Sequence, residues 1–162
     1  RPNGPKRPHV LDRLELRICD FIADIDLLLA ITSLLEIRIL NLFDDLQNLD
    51  PLFSSKFSLD ELSQICDYNE EQVSQNSLDA ELINWKDGSR IICKKWIENL
   101  LTGLKNNSEN YKKLCNLDPI YNVIKNGNQA MQWIYQYKQG SSIEEIIRSA
   151  INSMSRNEQK NN

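Results

Sequence analysis

Residues 1–20, RPNGPKRPHVLDRLELRICD, decide how the rest of this chain is read. A basic loop punctuated by Pro and Gly, Arg1 to His9, runs into a segment from Asp12 to Asp20 whose pattern alternates. Arg13, Glu15, Arg17 and Cys19 fall on one face and Leu14, Leu16 and Ile18 on the other, the period of a β-strand. A strand with one apolar face is not stable by itself. Its sheet neighbours are expected upstream of Arg1, which is not a methionine, so the chain is expected to be a C-terminal piece. Two readings of the polar face compete. It is either a solvated row of cross-strand charges or one wall of a cleft in which Glu15 holds a metal and Arg17 a phosphate.

Beyond this stretch the pattern is helical. Asp24 or Asp26 can cap a helix to about Asn48, whose apolar residues cover most of its circumference and imply burial on more than one side. Asp50-Pro51 breaks the run. Ser58-x-x-Glu61 is a capping box for a helix to about Tyr68, with Asn69 to Gln75 continuing helically at the surface. Leu82–Trp85 and Arg90–Ile92 flank Lys86-Asp87-Gly88-Ser89, a hairpin signal. Lys94–Leu104 reads as an amphipathic helix with Trp96, Ile97, Leu100, Leu101 and Leu104 inward, followed by a polar loop from Lys105 to Asn110. Further helices are predicted over Tyr111–Cys115, Pro119–Lys125 and Asn128–Lys138, the last ended by Gly140. Ser141-x-x-Glu144 and Ser142-x-x-Glu145 compete to open a final helix, Ile143 to about Met154. Residues 155–162 have nothing apolar to bury and are expected to be a disordered tail.

Composition excludes several classes. With 162 residues and a net charge of −4, the chain is not an obvious nucleic-acid binder. Its four cysteines include no C-x-x-C pair, which argues against a zinc site or disulfide frame, and His9 is the only histidine, which argues against a triad. Asp24, Asp26, Glu36 and Arg38 interrupt the most apolar stretch, so it should not span a bilayer. A cytoplasmic location is expected.

ATP chemistry on a carboxylate needs oxygen ligands for a metal and cations for the transferring phosphoryl group. Glu15 and Arg17, at i and i+2, share a face roughly 6.5–7 Å apart along a strand and can reach adjacent groups of one magnesium-bound phosphate. Arg suits the second role through its planar, bidentate fork. Spacing by itself favours the solvated reading.

The motif blocks shift that balance. RPNGPKRPHVLDRLELRICD resembles the Arg-Pro-His…Leu-Glu-Leu-Arg-x-x-Asp segment of the glutamate–cysteine ligase family, cyanobacterial type. Asn76-Ser77-Leu78-Asp79-Ala80-Glu81-Leu82-Ile83, Asp87-Gly88 and Lys94-Lys95-Trp96-Ile97 are similar to the family's Gly-Leu-Asp-Ala-x-Leu block, its turn and its next helix. Ala130, Gln132, Tyr135 and Gly140 fall where its late helix and turn fall. Ser77 stands where the family commonly has Gly, a departure in backbone geometry more than in chemistry.

The resemblance implies an α+β fold: the mostly helical C-terminal part of a glutamine-synthetase-like catalytic domain, with one strand of its antiparallel sheet and a short hairpin. Residues 1–154 would be that portion of a single ligase domain. It further implies ATP and Mg2+ as cofactors, and glutamate, cysteine and ATP as small-molecule substrates, with neither nucleic acid nor membrane as partner. The implied reaction joins the glutamate γ-carboxylate to the amine of cysteine through γ-glutamyl phosphate, the first step of glutathione biosynthesis. This piece by itself is expected to be inactive. Glu15 would be a metal ligand and Arg17 the catalytic phosphoryl-gripping residue, while Arg1 and Arg7 are candidates for substrate carboxylates or phosphates. A ligase for another amine, and a non-catalytic helical interaction module, remain the alternatives.

The other chemically tempting residues have plainer readings. His9 packs in a Pro-rich loop, and Cys19 is a structural thiol with no base to activate it. Trp85, Trp96 and Trp133 belong to the core. Lys94-Lys95 and Lys112-Lys113 are solvated faces.

Overall fold

The computed structural model describes residues 22, 24–107 and 116–160. The expected strand over Asp12–Asp20 and the expected helix over Tyr111–Cys115 lie outside the described residues. Within them the chain is mostly helical, with a two-stranded antiparallel sheet.

Helix α1 spans Ile25–Asp44, and of the two candidate caps Asp24 takes the role, its carboxylate accepting from the Leu27 N–H at 3.1 Å. The helix stops short of Asn48. Asp45 leaves helical geometry (φ −143°, ψ 59°), and its carboxylate accepts from the Asn48 amide at 2.9 Å, so a short second helix, α2 (Leu46–Leu49), follows. Asp50 then caps α3 (Pro51–Ser54), with Pro51 at a first-turn position that needs no N–H.

The expectation that α1 is buried on more than one side is corrected. Only Ala30, Ser33 and Ile37 are buried, a single stripe, while Leu29 and Phe43 are 55% and 71% exposed. That stripe packs with Leu101 and Leu104 of α5 (Cys93–Asn107) and Ile120 and Ile124 of α6 (Asp118–Asn126) into the main core. Helix α5 carries on to Asn107, through the start of the expected polar loop.

Helix α4 runs unbroken over Leu59–Asn76, and its capping box is complete. The Glu61 carboxylate accepts from the Ser58 N–H at 2.8 Å, and the Ser58 hydroxyl accepts from the Glu61 N–H. From the middle of α4, Asn69 grips the hairpin formed by β1 (Glu81–Ile83) and β2 (Arg90–Ile92), whose register pairs Leu82 with Ile91. The Asn84 N–H and the Cys93 N–H donate across the hairpin to Ser89 and Ala80. That alternation turns the Ile83 backbone groups away from β2. Asn69 meets both, its amide donating to the Ile83 carbonyl at 2.9 Å and its oxygen accepting from the Ile83 N–H at 2.7 Å. One side chain thus does the work of a third strand.

The connection between the strands is longer than an Asp-Gly tight turn. Gly88, but not Asp87, has positive φ (+76°), and a Cβ there would meet the Phe57 ring at 2.9 Å. Helix α7 (Gln129–Lys138) ends as expected. Gly140 (φ +99°) takes the left-handed position, and the Ser141 and Gly140 N–H groups donate to Gln136 and Tyr137, a Schellman cap. Of the two competing boxes, Ser142 and Glu145 form the real one. The final helix, α8 (Ile143–Lys160), passes the expected end at Met154. Trp133 is corrected too: it is exposed, whereas Trp85 and Trp96 are half-buried.

Candidate functional site

Arg1, Arg7, Glu15 and Arg17, together with His9, Cys19 and Asp20, lie outside the described residues. The structure does bring together the later motif blocks. Leu78 and Asp79, from the 3₁₀ turn Ser77–Asp79, line a cleft of about 580 Å³ with Lys94 of α5 and with Gln132 and Tyr135 of α7. Lys125 and Gly127 at the end of α6 close its other side, and Ile124, Met131 and Leu78 are its apolar lining.

Local chemistry holds this cleft in shape. Ser77 has φ +53° and ψ −127°, backbone that a β-carbon resists and that glycine adopts easily. Its place in the motif is where glycine is common, so the structure shows the geometry behind that departure. Asn128 steadies the turn by donating to the Ser77 hydroxyl at 2.6 Å, while its own oxygen caps α7 at the Met131 N–H, 3.0 Å away. Gly127 (φ +84°) lets the chain reverse between α6 and α7, where a Cβ would crowd that of Met131 at 3.2 Å.

Among the described residues the charges at the cleft have no ionic partners of their own. Ion pairs among the described residues join Arg90 to Glu81, Lys95 to Glu98 and Arg148 to Glu144, leaving Asp79, Lys94 and Lys125 uncommitted. The reading of Lys94-Lys95 as a solvated pair therefore divides. Lys95 is exposed and paired at 3.2 Å, whereas Lys94 is half-buried and faces the cleft. The hairpin register contained the signal. The Cys93 N–H continues the ladder by donating to the Ala80 carbonyl, so the start of α5 meets the end of the 3₁₀ turn, and Lys94 lines the cleft together with Asp79. Next to it, burial pushes the Cys93 thiol up from its ordinary pKa, so this cysteine is not primed as a nucleophile.

Among the described residues no three His, Cys, Asp or Glu side chains converge, so these residues do not fit a magnesium site by themselves. No helix among them is long and apolar enough to cross a membrane.

A mostly helical α+β chain whose later motif blocks line one charged cleft is the class that fold and site define. A profile of glutamate-cysteine ligase family 2 matches residues 1–155, and the chain belongs to that family. The family is one of ATP-dependent carboxylate–amine ligases of the glutamate–cysteine ligase kind. No curated protein and no solved structure matches the chain.

Proposed function

We propose that this chain is part of an enzyme that couples ATP cleavage to amide formation between the γ-carboxylate of glutamate and the amine of cysteine. The observation that carries the reading is the family match over residues 1–155, which takes in the Glu15-x-Arg17 segment. A γ-carboxylate oxygen attacks the terminal phosphorus of ATP and ADP departs. The amine then attacks the activated acyl carbon, the amide bond forms, phosphate leaves and the amine gives up a proton. Arg17 grips the transferring phosphoryl group, with Arg1 and Arg7 holding substrate carboxylates or phosphates. Glu15 is the carboxylate this chain would offer to a metal. Most of the rate comes from positioning and from neutralising charge.

The test uses the full-length enzyme and follows ADP release with ATP, glutamate and a panel of amines. Glutamate- and cysteine-dependent turnover is expected. Arg17→Lys should lower it about 10³-fold, because a point charge does not replace the guanidinium fork. Glu15→Gln should change the magnesium dependence while the protein stays folded. Turnover with another amine but not with cysteine overturns the acceptor and keeps the class. Near-normal kinetics in Arg17→Lys overturns the role of that residue.

A further inference from the structure

Helix α1 carries a second apolar stripe beside the one sealed in the core. Ile25, Leu29, Leu40 and Phe43 are 40–71% exposed and, at about 100° per residue, fall within a sector of roughly 60°, with Leu28 on its flank. Thr32 and Glu36 lie between the two ends of the stripe and are exposed as well. Single exposed leucines are ordinary, but apolar side chains aligned along one side of a 20-residue helix mark an interaction surface. Charge narrows the occupant. From Asp24 to Ser54 the chain carries six carboxylates against one guanidinium, Arg38. A second copy packed through the same face would set Glu36 and its acidic neighbours against themselves. An anionic membrane surface would be repelled.

We propose that this stripe is the seat of the chain's own residues 12–20, held there by Leu14, Leu16 and Ile18. Three observations meet in that occupant. Its sign is right, since residues 1–20 carry five cations (Arg1, Lys6, Arg7, Arg13, Arg17) against three carboxylates. Its connection is right, because three residues, 21–23, separate it from the cap at Asp24, a length that folds an extended segment back along the following helix. Its length is right too. Nine extended residues span about 30 Å at 3.3 Å each, and the 20 residues of α1 span about 30 Å at 1.5 Å each. Counted from the turn, Ile18 lies about 7 Å along and Leu29 about 6 Å, while Leu14 lies about 20 Å along and Leu40 about 22 Å. Each apolar residue of the segment therefore arrives at an apolar position of the stripe, with Leu16 over the Thr32–Glu36 stretch. Alternation then turns Glu15 and Arg17 away from α1, which makes the stripe a positioning surface for them. That consequence rests on the ligase reading; the docking itself does not.

The experiment crosslinks cysteine pairs in the full-length protein with o-phenylenedimaleimide and identifies the joined peptides by mass spectrometry. Leu14→Cys/Leu40→Cys and Ile18→Cys/Leu29→Cys should link within one chain at least about tenfold faster than the crossed pair Leu14→Cys/Leu29→Cys, whose positions differ by about 14 Å along the helix. On the unmodified protein, photochemical carbene labelling should modify Leu29 and Leu40 several-fold less than Leu52 and Phe53, which lie on the neighbouring short helix α3 at 66% and 72% exposure. That measurement needs no variant to fold. Equal rates in matched and crossed pairs, links formed between two copies, or labelling of Leu29 and Leu40 equal to that of Leu52 and Phe53 each overturn the proposal. Leu40→Gln should lower ligase turnover about tenfold while helix content stays unchanged. Normal turnover in that variant, with the matched links formed, keeps the docking and overturns the positioning of Glu15 and Arg17; inactivity of the unmodified enzyme with the matched links formed overturns the ligase reading alone.

Discussion

Helix α1 and the hairpin region are held by opposite means. In α1 the apolar residues run around the whole helix, yet one stripe, Ala30 and Ile37 above all, is sealed against Leu101, Leu104, Ile120 and Ile124. Its position is set by area, which is non-directional and tolerates sliding. The hairpin has little area to offer, with three residues in each strand and Leu78, Ala80 and Leu82 as its buried apolar groups. Directional bonds hold it instead. Asn69 clamps Ile83, the Ser55 hydroxyl donates to the Trp85 carbonyl at 2.6 Å, and Asn128 ties α7 to the 3₁₀ turn. The cleft draws on both, with Leu78 and Asp79 from the 3₁₀ turn and Ile124 from the sealed core.

That contrast breaks most visibly at Leu101, whose side chain is fully buried where α1, α5 and α6 meet. Leu101→Ala should cost about 2–5 kcal/mol. Thermal or urea unfolding of the full-length protein measures it, and a loss under about 1 kcal/mol would mean that area does not set this packing. Asn69→Ala comes next. It removes the partners of one N–H and one carbonyl at Ile83, an expected loss of about 1–3 kcal/mol. Hydrogen exchange should show the added opening at the hairpin amides and little change in α1. Equal acceleration in both regions would contradict their separate means of support.

The smallest effect concerns acid. Glu61 and Glu145 sit below the ordinary carboxylate pKa because the N–H groups, and then the hydroxyls, of Ser58 and Ser142 donate to them. A folded-state value below the unfolded one gives stability that is present above about pH 4.5 and lost as pH falls through the folded value. The Glu61→Gln/Glu145→Gln pair keeps both boxes but removes the titration. Its melting temperature should therefore vary less than the parent's between about pH 5 and pH 3. Identical acid profiles would show that the boxes contribute nothing to that limb.

What the sequence disclosed divides along the same line. Helix starts were legible because a cap is a local event within four residues. Asp24 and Ser58 cap the helices expected after them, whereas Asp50, read as a break, also starts a short helix, and Asn128, read as inside its helix, caps it. The end of α1 at Asp44 was not legible, since neither Gly nor Pro marks it and Asp45 simply leaves helical geometry. Nor was the exposure of Trp133, because an apolar stripe does not say whether another element will cover it. Lys94 was misread for a related reason: adjacent lysines look alike until the hairpin register separates them. Arg1, Arg7, Glu15 and Arg17 rest on the motif and the family rather than on geometry, since they lie outside the described residues.

Ser77 has a consequence of another kind. A serine at φ +53° carries a backbone penalty of about 1–3 kcal/mol, offset in part by the hydrogen bond from Asn128, a residue distant in sequence. The two positions are therefore energetically coupled, so that a change at one alters what the other tolerates. With glycine at 77 the turn forms unaided and position 128 is free to drift among helix caps. Once serine stands there, Asn128 carries two tasks, and its loss is no longer neutral. Order of substitution matters: asparagine first opens the path to serine, while serine first passes through a strained and unsupported turn. The pair is a small ratchet, in which a tolerated change at one site narrows the future of the other.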